Sequence, residues 1–129
     1  MPYALITMKP TAYGSYKDLI VYQKAKSLTT DIISFFSKNR IPRTLDFLIN
    51  QLFRAISSVG ANIAEGYGRH YQGSLKQFYA IARGSSFESD YWLEVINNLN
   101  MFDKNSISNF SDRNVELSKM LTSLMKKIK

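Results

Sequence analysis

Glu88, Asp90 and Glu94 fall within seven residues, His70 is the one histidine, and Gly68 to Gly73 has the glycine spacing of a phosphate-binding loop. Each feature has a chemistry attached: carboxylates hold divalent cations or move protons, an imidazole acts as base or metal ligand, and a glycine loop cradles phosphate. Their contexts argue against all three. At about 100° per residue a helix turns Glu88 away from Asp90 and Glu94, so the three read as a solvated charged face. Gly73 is followed by Ser74 and Leu75, where a phosphate loop needs Lys and Ser or Thr, and a helical pattern precedes the loop in place of a strand. His70 stands beside Arg69 with no positioned nucleophile. With no cysteine in the chain, disulfides, thiol nucleophiles, zinc fingers and iron–sulfur clusters are excluded. The residues therefore point to a protein that is not an enzyme and that carries neither metal nor cofactor.

The remaining chemistry is that of binding. The chain has 129 residues with 17 Lys and Arg against 10 Asp and Glu, a net charge of +7. Such a balance suits anionic partners, nucleic acid before acidic protein or membrane, and is equally that of a merely soluble protein. The charge is uneven. Residues 38–83 carry a local +5, residues 84–118 a local −4 and residues 119–129 a local +4. Arg54, Arg69, Lys76, Arg83, Lys126 and Lys127 are the candidate phosphate ligands, although the tail lysines also complement the negative pole of a final helix. Among the aromatic residues only Tyr67 and Tyr71, which flank Arg69, have a loop setting that suits stacking on bases.

These residues are positioned by helices. Leu19, Tyr22, Ala25, Leu28, Ile32, Phe35 and Phe36 recur at three- and four-residue spacing and predict a first helix over 17–37. Leu45, Leu48, Leu52, Ile56, Val59 and Ile63 predict a second over 43–65, ended by Gly66. Arg54, Ser58, Ala61 and Glu65 fall on its far side. Ser74 and Gln77 form a capping box for a third helix over 75–101. A turn is expected over 103–109 and a fourth helix over 111–127. Residues 1–16 have no helical period and read as an N-terminal arm before a bundle domain over 17–129. The first ten residues lack the features of a signal peptide, and no apolar run is long enough to span a bilayer, so cytoplasm is the expected compartment and no membrane partner is expected.

The third helix has two apolar faces. One holds Phe78, Ala82, Ser85, Ser89, Leu93 and Ile96, and the nearly opposite one holds Ala80, Gly84, Phe87, Tyr91 and Val95. A helix apolar on two sides is covered on two sides, either deep within one protomer or at a subunit interface. The small residues on the spare faces of helices two and three favour the interface, with Ser58, Ala61, Glu65, Ala80, Gly84, Phe87 and Tyr91 as its candidates. Arg54 and Glu65 are eleven residues apart, about 16 Å along a helix, so each is expected to meet partners on other helices or subunits.

Three stretches resemble a known family: residues 16–25, from Tyr16-Lys17-Asp18 to Gln23-Lys24-Ala25; residues 51–66, ending in Asn62-Ile63-Ala64-Glu65-Gly66; and Arg83-Gly84-Ser85-Ser86-Phe87-Glu88. They are similar to the bacterial four-helix-bundle proteins associated with intervening sequences of 23S ribosomal RNA. The resemblance implies an all-α, antiparallel up-down four-helix bundle that assembles as a ring-like homo-oligomer, a pentamer. That fold is similar to the accessory protein of diversity-generating retroelements, a basic pentamer that binds nucleic acid and a reverse transcriptase. By this analogy the expected partners are copies of the chain itself, RNA or DNA, and a reverse transcriptase. An interaction scaffold without nucleic acid is the competing reading.

Overall fold

A computed structural model describes residues 15–69 and 72–128. Most of the expected arm, with His70 and Tyr71, lies outside the described residues. Ser15 and Tyr16 belong to the start of the fold. Ser15 Oγ accepts from Lys17 N at 3.1 Å, Ser15 N donates to Asp18 Oδ2 at 3.1 Å, and a 3-10 turn spans Tyr16–Asp18. Four helices follow: α1 (Ile20–Lys38), α2 (Asp46–Gly68), α3 (Gln72–Asn98) and α4 (Lys104–Lys126). The described residues contain no strand.

The apolar stripes read from sequence form the core. Ala25, Leu28, Ile32 and Phe36 of α1, Leu52, Ile56, Val59 and Ile63 of α2, Ala82, Leu93 and Ile96 of α3, and Leu117, Leu121 and Leu124 of α4 are all buried. Burying a side chain of the Leu, Ile or Phe size contributes about 1.5–3 kcal/mol relative to exposure, so these stripes hold the bundle together. The main contacts are α1 with α2, α2 with α3, α3 with α4, and α4 with α1. Across each of them residue numbers rise on one helix as they fall on the other. Arg54 meets Glu88 and Ser58 meets Ser85 between α2 and α3. Ser86 meets Asn114 and Arg83 meets Thr122 between α3 and α4.

Several helix ends differ from the sequence reading by a few residues, and three of the differences have a local reason. Gly66 does not end α2. A Cβ at this position would lie 2.7 Å from the Phe78 Cβ, so the glycine serves the close approach of α3, and α2 continues through Tyr67 to Gly68. Ser74 does not cap α3, because Gln72 and Gly73 already belong to that helix. The expected turn over 103–109 is the first part of α4. Asp103 Oδ2 accepts from Ser106 N at 2.9 Å and from Ser106 Oγ at 2.7 Å, and Ile107 and Phe110 are buried. The α3–α4 connection turns instead at Asn100, whose φ of 58° is a left-handed geometry that asparagine tolerates.

Between α3 and α4 lies a buried polar clasp. Ser86 Oγ donates to Asn114 Oδ1 at 2.7 Å, and Asn114 Nδ2 donates to Ser86 O at 2.8 Å. Both residues are essentially inaccessible. Unsatisfied buried amides cost about 1–3 kcal/mol, so the clasp holds only one rotation of α3 against α4.

Two measurements check this packing. Gly66→Ala should lower stability by about 1–3 kcal/mol in urea unfolding, because overpacking outweighs the helix propensity gained. Gly60→Ala should raise it by about 0.5–1 kcal/mol, since its methyl would make only ordinary contacts of 3.7 Å and 4.0 Å with Ala25 and Tyr22. A third concerns pH. The hydrogen bonds from the Ser106 hydroxyl and amide hold the Asp103 carboxyl below its ordinary value of 3.8. A carboxyl depressed in the folded state contributes stability above its unfolded pKa and loses it as pH falls through the folded one. Acidification below pH 3.8 should therefore destabilise the wild type more than Asp103→Asn, read as the unfolding midpoint against pH.

Candidate functional site

With Ser86 turned into the bundle, its neighbour Phe87 is turned out. Phe87 is 58% exposed and Tyr91 57%, and the expectation that α3 keeps a second apolar face holds for the isolated protomer. Ala80 and Gly84 are exposed beside them, and Val95 is half-buried. Ile81, which the sequence reading passed over, is exposed on the same side as Gly84; its spacing three residues before Gly84 was the available signal. Gly84 has open space around the position of a Cβ. A mid-helix glycine costs about 1 kcal/mol against alanine, and nothing among the described residues uses the room it leaves. Tyr91 packs edge-on against Trp92 with ring centroids 4.9 Å apart. The Arg83 guanidinium lies 6.0 Å from the Phe87 ring centre.

The expected small-residue face of α2 is divided. Ser58 belongs to the protomer interior side, because Ser85 Oγ donates to Ser58 Oγ at 3.0 Å and Asn62 Nδ2 donates to it at 2.8 Å. Ala61 and Glu65 are exposed. Glu65 does not reach another helix as expected. Its Oε2 accepts from Arg69 Nε at 2.9 Å, a pair made possible by the extension of α2 past Gly66. On the side of α2 facing α1, Ser57, Gly60, Ala61 and Ala64 line a groove of about 220 Å³ with Tyr22 and Lys26 on its opposite wall.

The six candidate cations are not one patch. Arg54 meets the Glu88 carboxylate of α3, which also accepts from Trp92 Nε1 at 3.1 Å, and Arg54 bonds Gln51 Oε1 at 3.0 Å. It ties α2 to α3, as expected of a partner on another helix. Arg69 is held by Glu65 and lies 5.2 Å over the Phe78 ring. Arg83 Nη1 donates to Thr122 Oγ1 at 3.0 Å. Lys76, Lys126 and Lys127 are exposed. The facing register of α2, α3 and α4 puts Arg69, Lys76, Lys126 and Lys127 at one end of the bundle. Lys38, Arg40 and Arg43 lie before α2, at its far end from Arg69, so the basic segment of the sequence is split by its own helix. Lys119, one of the tail lysines, lines a groove of about 350 Å³ with Phe87, Thr122 and Lys126.

Tyr67 is not available for base stacking. It is 8% exposed, one turn beyond Ile63 on the core stripe, and burial first, then the Asp18 carboxylate, raises its phenol above 10.0. Tyr71 lies outside the described residues. No group of three or more His, Cys, Asp and Glu side chains placed to hold a metal occurs among the described residues.

Comparison with known proteins follows the same lines. The family model described as 23S rRNA-intervening sequence protein matches residues 17–123. A solved structure of a protein of unknown function from the S23 ribosomal protein family of Bacteroides thetaiotaomicron is similar at a TM-score of 0.72. It is 21% identical, and the match covers 84% of this chain and 100% of that one. No curated protein matches.

The role of Arg54 is open to a double-mutant cycle. Arg54→Ala and Glu88→Gln should couple by about 0.5–1 kcal/mol in urea unfolding, the range of a partly exposed ion pair.

Proposed function

The chain belongs to the 23S rRNA-intervening sequence protein family, and on that premise we propose that it is a non-enzymatic, cytoplasmic, ring-like homo-oligomer of up-down four-helix bundles that binds structured RNA or DNA through basic surface residues. One observation carries the self-association: Phe87 and Tyr91 are exposed beside the unfilled space of Gly84. Aromatic residues with a glycine between them form the kind of apolar patch that monomers rarely leave uncovered. Five copies is the number the family resemblance implies. The up-down topology is supported by the opposed numbering across all four helix contacts.

For nucleic acid the support is the net charge of +7 together with the gathering of Lys76, Lys126 and Lys127 at one bundle end, beside the Glu65-paired Arg69. In a ring that end is repeated in every copy, and repeated weak phosphate contacts multiply. Arg54 has its charge met by Glu88 and is left out of this surface. The pairing of Arg54 and Arg69 within the protomer also favours the second reading, a scaffold that holds proteins and not nucleic acid. No helix among the described residues is long and apolar enough to cross a membrane.

Light scattering separates the parts. Wild type should run near five times 14.8 kDa, and Phe87→Glu should run at the single-chain mass with unchanged helical circular dichroism. A structured RNA should bind the oligomer with a log affinity that falls linearly with log salt. Lys76→Glu with Lys126→Glu should weaken it at least tenfold without changing the assembly. Binding that ignores salt, or no binding at all, would leave the scaffold reading.

A further inference from the structure

We infer that contact between copies is heterologous: the α3 ridge of one chain, Phe87 and Tyr91, seats in the α1–α2 groove of the next. This deepens the self-association proposed above and rests on it. Phe87 and Tyr91 are one helical turn apart, about 6 Å along the axis, and both are more than half exposed. The groove offers the opposite shape. Its α2 wall is Ser57, Gly60, Ala61 and Ala64, short side chains spread over eight residues or about 10 Å, and Tyr16 and Tyr22 line the groove opposite them. That accommodates two rings spaced by one turn.

Charge complements shape. Asp90 and Glu94 are exposed along the ridge, and neither forms an ion pair among the described residues. Lys26 lines the groove, Lys17 borders the recess beside it, and neither ammonium has a carboxylate partner among the described residues. Of the other outward carboxylates, Glu88 is engaged by Arg54, Glu116 by Lys24 and Asp31 by Arg113, while Asp18, which accepts from the Ser15 amide, and Asp112 form no ion pair among the described residues. A second copy therefore brings unpaired anions to unpaired cations. A ridge-to-ridge contact would cover the aromatics but leave the groove and Lys26 bare, whereas ridge-to-groove covers both. Because the two surfaces differ, each docked copy presents a fresh ridge and a fresh groove, and the series ends only by closing into a ring or growing into a filament.

The test uses two defective chains that can repair each other. Phe87→Ala with Tyr91→Ala removes the ridge and keeps the groove, while Ala61→Trp fills the groove and keeps the ridge. Ala61 is exposed in the protomer, so the tryptophan sits outside the core. Exposed Ser57→Trp serves as a second groove variant if Ala61→Trp does not fold. Each variant alone should scatter as a single chain of 14.8 kDa. Mixed one to one they should form a heterodimer of twice that mass and nothing larger, because only one working ridge and one working groove remain per pair. Groove variants that assemble like wild type would overturn the inference while leaving self-association standing. So would single-chain variants that fail to pair on mixing. A wild type that stays a single chain at micromolar concentration would sink the self-association itself, and this inference with it.

Discussion

The rotation of α3 about its own axis decides what this protein shows to the outside. Two adjacent serines set it. Ser85 faces α2 and bonds Ser58, and Ser86 faces α4 and forms the buried clasp with Asn114. With those two directions taken, the next residue has only the outside left, and that residue is Phe87. Rolling α3 to bury Phe87 would break the clasp and strand an amide and a hydroxyl in the core, at about 1–3 kcal/mol for each unsatisfied group. Gly66 acts in the same sense at the end of the α2–α3 contact, because the absence of its side chain admits Phe78. The exposed aromatics are thus a consequence of how the core is satisfied.

The same geometry reassigns charge. Arg54 is the most conspicuous cation on the outer face of α2 in the sequence, and the antiparallel register delivers Glu88 and the Trp92 indole to it. An exposed pair of this kind adds little stability but removes a cation from any phosphate-binding surface. Arg69 is likewise spanned between Glu65 and the Phe78 ring. Exposed Lys76 and Lys126 at that bundle end have long side chains suited to diffuse contact with a phosphate backbone and not to fixed recognition of bases. The molecule thus has exposed aromatics on its flank and a separate basic end.

Much of the fold was legible in the chain. Four periodic stripes, with residues such as Leu28, Ile56, Leu93 and Leu121, predicted four helices and most of the core, because a 3.6-residue period has one physical explanation in a soluble protein. The ends were less legible. Gly66 carries the same letter whether it stops a helix or admits a neighbour, and only the position of Phe78 distinguishes the two. Asp103 followed by Ser106 was a cap signal in plain view, obscured by the polar residues after it, and missing it hid Ile107 and Phe110 from the predicted core.

By itself, then, the sequence determined the helical class, the buried stripes, the lack of a thiol or a second histidine, and the existence of two apolar faces on α3. All of these depend on residue type and on spacing within one segment. Only the tertiary structure decided that Ser85 and Ser86 of α3 bond different helices, that Ser58 turns to its own chain, that Arg54 is matched by Glu88, and that the basic residues before and after α2 lie at opposite ends. Those are relations between segments. They depend on register and rotation, which are set when buried polar groups on different helices must find one another.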